Sequence, residues 1–555
     1  NRTGAVISGS APGAGVRVIG DNARIFGALV GDNYGTVRAA VIAQQPTYKA
    51  NSGALTVGGA VGRNSSGGVV DSITVSAKFE NFTGYRLLGG VVGENSTGAT
   101  TPIVRSCTFS GTITRETSSA AGDCYGGIAG LNSGTLSGCT VSGLTMTITG
   151  AYTATPTSTA AQKEALSAHI GGVAGKNNET GTIEGCTLVP GLKTGYITVS
   201  YGMVGGIAGY NKGTISGCGG QSTHVAAGVT KVSQLLANTA AFAADAYYVS
   251  TNYSASIEDL SYRSGTRVDA GRTARIMVTG NGNLGGITGY NAPTGALDRC
   301  VSGRWLLVNK SESIGVGTGG IIGMNESEKD LEFLVNRAFV GRQLSSGQTN
   351  RFAGGIIGNQ VNSTTSDWTI RGCVNYGTVY CLNTHYSGGI LGQWTGNGGT
   401  IEGCYNYGNL QTTFSANWVG ASGGIVAQLY HATSGQSFNI LSCQNHGNIY
   451  LANGSSGSGA NDSAGILGNI TNYLATNGGQ SYTVNVVDCV NGAGVQIYSR
   501  SIASGVVGFL SSDSPSAANL KNSTRNVVLN IDRCRNYTAS LYKGQSDYVA
   551  GIFGD

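Results

Sequence analysis

The sequence is poor in charge and in proline. Only 11% of its 555 residues are Asp, Glu, Lys or Arg, whereas an ordinary soluble domain has roughly 25%. Lysine and arginine form no runs and the net charge is only +5, so no nucleic-acid partner is predicted. Seven prolines, without a Gly-x-y period, exclude collagen and proline-rich disorder. No run of about twenty apolar residues occurs, so no membrane insertion is predicted.

The motifs of common catalytic and metal sites are also missing. None of the five histidines belongs to His-Glu-x-x-His, which excludes a zincin centre within these residues. There is no Cys-x-x-Cys pair, and no Gly-Lys-Ser/Thr follows a glycine-rich segment, so zinc, redox and phosphate-loop sites lack support. Aspartates lack the nonapeptide spacing of calcium-binding repeats. The sequence therefore predicts no enzyme activity, no metal and no cofactor.

What the chain has instead is a repeated motif: Gly-Gly-apolar-x-Gly-x-Asn, then Gly-Thr-apolar, then Cys. One copy runs from Gly126 to Cys139, the next from Gly171 to Cys186, and another from Gly205 to Cys218. A unit that recurs at a period of roughly 31 to 35 residues buries its apolar face by stacking on its neighbours. The repeat therefore indicates a solenoid.

Within each unit the pattern favours short strands. The apolar residues are mostly β-branched and are bounded by glycine, as in Thr182 to Leu188. Ile183 and Cys186 are three residues apart, and a positive φ between them would restore the two-residue alternation. Glycine, which adopts positive φ at little cost, fills that place at Gly138, Gly185, Gly217, Gly372 and Gly403.

These features predict an all-β fold, a parallel β-helix (β-solenoid) of about 13 stacked coils with a few inserted loops. We expect residues 1–555 to form a single elongated solenoid. The step from Gly205 to Gly285 is 80 residues long, which predicts an insertion or a degenerate coil over residues 219–283. A helical pattern runs there from Thr230 to Tyr248, and insertions into solenoids often carry contacts. The chain ends on the opening of another repeat, so we expect it to be part of a longer protein.

Stacked coils bring equivalent residues about 4.8 Å apart, so identical residues should form columns. Parallel Cβ vectors in a cysteine column do not converge to disulfide geometry, so we expect buried, reduced thiols. Cys124 and Cys381 lie outside the column and are the better candidates for a disulfide or a reactive thiol. The column consists of Cys107, Cys139, Cys186, Cys218, Cys300, Cys373, Cys404, Cys443, Cys489 and Cys534.

Asparagine forms two further columns. Stacked amides can hydrogen-bond along the axis, which would offset the cost of burying them. The first column is Asn33, Asn64, Asn95, Asn132, Asn177, Asn211, Asn291 and Asn325. The second, two residues after the cysteine, is Asn375, Asn406, Asn445, Asn491 and Asn536.

Aromatic residues are the candidate ligand contacts. Tyr376, Tyr407 and Tyr537 share the position three residues after the cysteine, and Trp394 lies in the same half of the chain. Two-residue alternation places these tyrosines outward. An exposed aromatic stripe can bind a sugar or a partner protein, and the alternative is a stack that only supports the coil.

Carboxylates do not form a convincing catalytic pair. Glu184, Asp298, Glu402 and Asp532 share the position two residues before the cysteine, but arginine and serine occupy it in other units. Glycosidases need two carboxyl groups about 5 to 9.5 Å apart, and adjacent units supply no matched pair. A carbohydrate-active β-helix is therefore the least favoured alternative.

The repeat resembles the GLUG family, named for its Gly-hydrophobic-x-Gly motif, from about Ile25 to Asp555. Variants such as Cys373-Val374-Asn375-Tyr376-Gly377 look like those of surface proteins from Gram-positive gut anaerobes. Members of the family occur in bacterial cell-surface proteins and adhesins, and beside the catalytic domain of IgA-cleaving metallopeptidases. The resemblance implies an extracellular location, either secreted or attached to the cell wall.

We therefore expect a non-enzymatic bacterial surface or secreted protein that acts as a stiff stalk, an adhesin or a filament-forming segment. The main alternative is a spacer or substrate-presenting domain of a larger surface hydrolase or peptidase, whose catalytic part lies outside this chain. The expected partner is a glycan or protein of a host or neighbouring cell. End-to-end self-association is also expected, because open solenoid ends expose strand edges.

Overall fold

The structure, a computed structural model, describes most of the chain. The described residues are 1–10, 17–19, 24–42, 47–49, 56–80, 86–115, 121–150, 158–189, 195–220, 225, 229–236, 274–303, 305–310, 316–343, 352–361, 368–382, 386–396, 398–413, 420–431, 436–452, 461–472, 482–499, 502–511, 527–538, 540–543 and 548–553.

The chain divides into two compact units. Unit 1 comprises residues 1–227 and 271–311, and unit 2 comprises residues 228–270 and 312–555. In each unit, strands of successive repeats pair in parallel and in register, as in Gly126 with Gly171 of unit 1 and Gly354 with Gly388 of unit 2. Both units are thus parallel β-helices, and the predicted fold class is confirmed. The number of coils and the single solenoid over 1–555 stay predictions.

Three sheets form each coil of unit 1. Strands of the glycine sheet end at the first glycine of Gly-Gly, strands of the asparagine sheet end at the first-column asparagine, and strands of the cysteine sheet flank the cysteine column. The glycine sheet contains Ile25–Gly27, Thr56–Gly58, Leu87–Gly89, Cys124–Gly126, His169–Gly171, Met203–Gly205 and Leu284–Gly285. The asparagine sheet contains Val30–Asn33, Val61–Asn64, Val92–Asn95, Ala129–Asn132, Ala174–Asn177, Ala208–Asn211 and Thr288–Asn291. The cysteine sheet contains Val6–Ser10, Arg17–Ile19, Thr36–Ile42, Thr47–Lys49, Val69–Asp71, Thr74–Phe79, Ile103–Arg105, Thr108–Arg115, Thr135–Ser137, Thr140–Ser142, Thr145–Ile148, Thr182–Glu184, Thr187–Val189, Gly195–Val199, Thr214–Ser216, Ala274–Val278, Ala296–Asp298 and Trp305–Asn309.

Unit 2 repeats these sheets and adds a fourth, the short sheet, whose two-residue strands end at the second-column asparagines. Its glycine sheet contains Gly317–Gly319, Phe352–Gly354, Tyr386–Gly388, Gly420–Gly423, Asn461–Ala464, Ile502–Ser504 and Tyr548–Ala550. Its asparagine sheet contains Ile322–Asn325, Ile357–Val361, Leu391–Gly396, Val426–His431, Leu467–Asn472 and Val507–Ser511. Its cysteine sheet contains Leu331–Glu332, Phe339–Gln343, Thr369–Arg371, Val379–Leu382, Gly399–Glu402, Leu410–Thr413, Ser437–Leu441, Ile449–Ala452, Tyr482–Val487, Gln496–Ser499, Val527–Asp532 and Ser540–Lys543. The short sheet contains Val335–Asn336, Val374–Asn375, Tyr405–Asn406, Gln444–Asn445, Val490–Asn491 and Arg535–Asn536.

A left-handed residue bends the cysteine sheet just before each column cysteine. The five glycines predicted for this position have φ from 57° (Gly185) to 62° (Gly372), which confirms the prediction. Non-glycine residues adopt the same conformation at this position, with φ from 49° at Arg533 to 56° at Ser72, which precedes Ile73, the residue that replaces the cysteine in its coil. The pairing of stacked strands therefore fixes the backbone conformation at this position. The residue type changes only the free energy that this conformation costs.

Two short helices are present among the described residues, α1 (Ala160–Ala165) and α2 (Val232–Leu236). Helix α1 begins at a capping box, in which Thr159 and Gln162 each accept a backbone N–H bond from the other. Helix α2 lies inside the segment with the helical pattern. Most of the predicted insertion, residues 221–224, 226–228 and 237–273, lies outside the described residues.

Candidate functional site

The cysteine column is buried and chemically quiet. Nine of its ten members are 0% exposed, the exception being the half-buried Cys534, and all ten are free thiols. The Cys139 Sγ donates to the carbonyl oxygens of Ser137 and Val104 at 3.5 and 3.7 Å. Burial raises the pKa of Cys300 to about 12. Cys300 is therefore a protonated thiol near neutral pH, and the nine fully buried sulfurs have no access to a solvent-borne substrate.

In unit 1 the first asparagine column is a continuous hydrogen-bonded ladder. The amide Nδ2 of each residue donates to the Oδ1 of the next coil's asparagine at 2.8–3.0 Å, from Asn33 to Asn291. Each of these side chains is 0% exposed. Asn33 also bridges its own turn, because its Nδ2 donates to the Gly35 carbonyl at 3.0 Å. The ladder therefore satisfies both the buried amides and the corner backbone.

In unit 2 the second column forms an equivalent ladder at another corner. Bonds of 2.8–3.0 Å link Asn336, which precedes the predicted members, through Asn375 and onward to Asn536. The Nδ2 of Asn406 donates to the Gly408 carbonyl at 2.9 Å, and its Oδ1 accepts from the Gly408 N–H at 3.2 Å. Asn325 of the first column donates to the Oε1 of Gln360 instead, at 2.6 Å.

The aromatic candidates do not form one exposed stripe. Tyr376 is 1% exposed, Tyr407 is half-buried and Tyr537 is 54% exposed. Trp394 is 1% exposed and stacks on Trp368 with ring centroids 4.5 Å apart, at a different corner of the coil. The expected solvent exposure is therefore wrong for Tyr376, whose ring is covered within its stack. As a solvent-exposed ligand contact, Trp394 is wrong too, because it packs inside a stack of aromatic rings.

The tyrosine column continues into His446 as a face-to-face stack. Ring centroids of Tyr376 and Tyr407 are 5.3 Å apart, and those of Tyr407 and His446 are 4.9 Å apart, each pair within 9° of parallel. His446 is exposed, and its Nε2 lies 3.1 Å from the Oε1 of Gln444. Stacked rings present their edges to solvent and hide their faces from a ligand. Only a break in the stack exposes a ring face.

In the sheet register, other residues separate the candidate carboxylates from one another. Glu184 lies between Ser137 and Ser216 in the sheet register. Arg371 separates Glu402 from Glu332 and binds both, at 3.1 and 3.0 Å. Asp298 and Asp532 each pair with the arginine that follows them in the chain. The Arg371 contacts are ion pairs between coils and those of Asp298 and Asp532 lie within one coil, and exposed pairs of either kind contribute little stability.

The structure also brings together two residues that the sequence left apart. Cys124 and His169 pair in register on adjacent coils, and the Cys124 Sγ lies 3.5 Å from the His169 Nδ1. Both side chains are nearly inaccessible, at 2% and 1% exposed. Both residues occupy the place two before a Gly-Gly pair, so aligning the repeats would have shown that they are neighbours.

Helix α1 lies over this pair and is held by ionic contacts. Glu164 of α1 binds the ammonium groups of Lys176 and of Lys212, the latter at 3.3 Å. The hydroxyl of Tyr210 donates to the Ala160 carbonyl at 3.4 Å, and its ring stacks on His169 with centroids 4.8 Å apart. Burial raises the pKa of Glu164, but the two lysines outweigh it and hold the pKa below its usual range.

The pair is neutral rather than catalytic. Burial raises the pKa of Cys124 to about 12, and burial together with Lys176 lowers that of His169 to about 3. A thiolate–imidazolium pair needs the opposite shifts. The His169 Nε2 is buried without a hydrogen-bond partner, so its imidazole carries the cost of an unsatisfied group.

Within the described ranges no group of three or more His, Cys, Asp or Glu side chains is placed to hold a metal ion. No helix in that part of the chain has the length and apolarity needed to span a membrane. Comparison of the chain with family models, with curated proteins and with solved structures gave no match.

Proposed function

We propose that the chain is a non-enzymatic structural and adhesive segment of a secreted or cell-surface bacterial protein. The observation that carries this proposal is the set of hydrogen bonds that the recurring polar side chains make. Ladder asparagines direct their amides to the next coil, and several also bond to their own turn, as Asn406 does with Asn445 and Gly408. The repeat therefore supports coil stacking, and the described residues contain no assembled acid–base set for catalysis.

A ladder of this kind suits a load-bearing role. Adjacent coils share backbone hydrogen bonds in every sheet as well as the side-chain bonds of the ladder, so pulling one coil away breaks many bonds together. The low charge and the buried thiols also suit an extracellular location, since thiols without solvent access resist oxidation.

Single-molecule pulling between the two termini tests the structural role. We expect unfolding in steps of about one coil, each releasing roughly 100 Å of chain, at a force reduced by Asn406→Ala. The matched control is Asn485→Ala, whose amide donates to Asn439 at 2.8 Å on the partly exposed face of the cysteine sheet. Smooth extension at low force, with no effect of Asn406→Ala, would contradict a load-bearing role.

A further inference from the structure

Helix α1 is held on the coils of unit 1 through a carboxylate that water can reach. The Glu164 side chain is 22% exposed, and the two lysines that it binds, Lys176 and Lys212, come from successive coils. The Tyr210 hydroxyl lies 3.4 Å from the second Glu164 oxygen and donates to it. A helix of six residues has little stability of its own in water, so its position depends on such contacts.

The polar groups beneath α1 are poorly satisfied by their burial. Cys124 and His169 are 2% and 1% exposed, and the His169 Nε2 has no hydrogen-bond partner. Ser167, in the link between α1 and the following strand, is 0% exposed and its Oγ also lacks a partner. Lifting α1 would return these groups to water, which removes the penalty of leaving them unbonded.

A proton on the His169 ring would be poorly placed while α1 is closed. Burial, followed by Lys176, lowers the pKa of the ring to about 3 against an ordinary 6.5, and Glu164 opposes this shift only in part. The charged and titratable groups that face the ring or lie next in its stack are Cys124 of the preceding coil, Lys176, Tyr210 and Tyr290 of the asparagine sheet, and Lys163 and Glu164 of α1.

Acid therefore favours a state in which α1 has lifted. Because the open ring takes up a proton near pH 6.5 and the closed ring does not, opening gains about tenfold for each pH unit below 6.5. Glu164 acts in the same direction, since the two lysines hold its pKa below the usual range and its protonation releases them. The ion pairs that fix the helix and the ring that it covers thus respond to the same signal.

We propose that α1 is an acid-opened lid over Cys124, and that lifting it exposes a thiol that the closed coil keeps out of reach. Cys124 differs in this respect from a column cysteine such as Cys139, which lies in the core and is reached only when coils separate. The proton that favours opening then lies beside the exposed sulfur, and a neighbouring imidazolium lowers the pKa of a thiol. This device goes beyond the structural and adhesive role proposed above.

The test is the rate at which N-ethylmaleimide labels Cys124 in the whole chain, resolved from the other thiols by peptide mass spectrometry. Dividing by the rate for the same residue in the urea-denatured chain at the same pH removes the intrinsic pH dependence of the thiol. We expect the normalised rate to be low at pH 7 and to rise at least about 20-fold by pH 5. Cys139, measured in the same samples, should stay protected at both pH values.

Two variants separate the clasp from the trigger. Glu164→Gln removes the charge that binds both lysines and should raise the normalised rate of Cys124 at pH 7 about fivefold. Its control is Glu184→Gln, which changes an exposed glutamate between two serines and should have no effect. His169→Phe keeps a ring against Tyr210 but takes no proton, so protection at pH 7 should persist and the rise in acid should disappear.

Three results would each overturn the proposal. Labelling of Cys124 at pH 7 as fast as in the denatured chain would show that α1 does not cover it. A normalised rate that stays constant down to pH 5, or a rise that survives in His169→Phe, would remove His169 as the trigger. An equal rise for Cys139 would show that the whole unit opens. None of these results bears on the pulling experiment.

Discussion

The two units place their buried amides at different corners of the coil. In unit 1 the ladder closes the asparagine sheet, and the position two residues after the cysteine is apolar, at Phe109, Val141 and Leu188. In unit 2 that position carries the ladder. The former ladder position becomes apolar along Trp394, Leu429 and Ile470. An amide column in one unit therefore replaces an apolar column in the other.

The exchange shows what the amide column requires. Both ladders lie where the chain turns through glycine, and both return a bond to that turn, as Asn64 does to Gly68 and Asn406 to Gly408. A buried turn leaves backbone groups without strand partners, and the asparagine supplies them. The ladder thus follows the buried glycine turn and is not tied to one position of the repeat.

Breaking either ladder should have the largest effect. We expect Asn132→Ala in unit 1 and Asn406→Ala in unit 2 to lower the free energy of unfolding by about 3 kcal/mol each, because several buried partners lose a bond. Urea denaturation followed by hydrogen exchange would measure the loss in each unit. Asn485→Ala removes two amide bonds of 2.8 Å, to Asn439 and from Asn530, on the partly exposed face, where water replaces them, and should cost under about 1 kcal/mol. Equal losses for all three would contradict this account.

Transplanting an amide between the corners should cost somewhat less. Val141→Asn places one amide at the unit 2 ladder position of unit 1, between Phe109 and Leu188. Without a stacked amide on either side, we expect a loss of about 2 kcal/mol. Adding Phe109→Asn and Leu188→Asn should give less than the sum of three single losses, because neighbouring amides can then bond. Strict additivity in denaturant titrations would show that no ladder forms.

Acid should destabilise unit 1 through His169. Its pKa is about 3 in the folded chain against 6.5 when free, so the unfolded chain takes up the proton first. The destabilising contribution of His169 is absent above pH 6.5. As the pH decreases from there toward 3, the free energy of unfolding falls by about 1.4 kcal/mol per pH unit. The charged and titratable neighbours are Cys124, Tyr210 and, within the α1 contacts, Glu164 and Lys176.

The measurement is unfolding free energy by hydrogen exchange at pH 7 and pH 5.5, where carboxylates stay ionised. His169→Phe should remove the pH-dependent loss in unit 1, and a loss that persists in this variant would assign it to other groups.

Substitutions at the left-handed position should have the smallest effects on stability. Removing a glycine there and introducing one should act in opposite directions. Gly403→Ala in unit 2 and Gly138→Ala in unit 1, where φ is 58° in both, should each cost about 1 kcal/mol. Ser442→Gly and Ser106→Gly, at φ of 53° and 51°, should be neutral or slightly stabilising, since the relief of strain opposes the added backbone entropy. Thermal melts resolve these differences, and a stabilising Gly403→Ala would contradict the requirement for positive φ.

Much of the fold could be predicted from residue spacing. The three-residue step from Ile183 to Cys186 predicted the left-handed position, because alternation fails without it. Recurrence at a fixed period predicted the columns, since each coil repeats the environment of the last. The sequence could not show that Ser, Phe, Asp and Arg also adopt positive φ at this position. That conformation is imposed by the pairing with neighbouring coils and not by the preference of the residue itself.

The site was less predictable. Alternation from Cys373 suggested that Tyr376 faces outward, yet burial depends on what else covers the strand, and spacing carries no such information. Tyr537, in the same column, is 54% exposed. The neutral state of His169 required its burial beneath α1, which a non-repeating segment supplies.

One ladder bond has a further consequence for how this chain can change. Asn211 and Asn291 are 80 residues apart, yet their amides bond at 2.8 Å, as do Asn33 and Asn64, which are 31 residues apart. Closing the longer connection costs only about 1 kcal/mol more. New sequence can therefore enter between coils with little disturbance to the stack. This makes the link after Cys218 a natural site for grafting a foreign domain onto the scaffold.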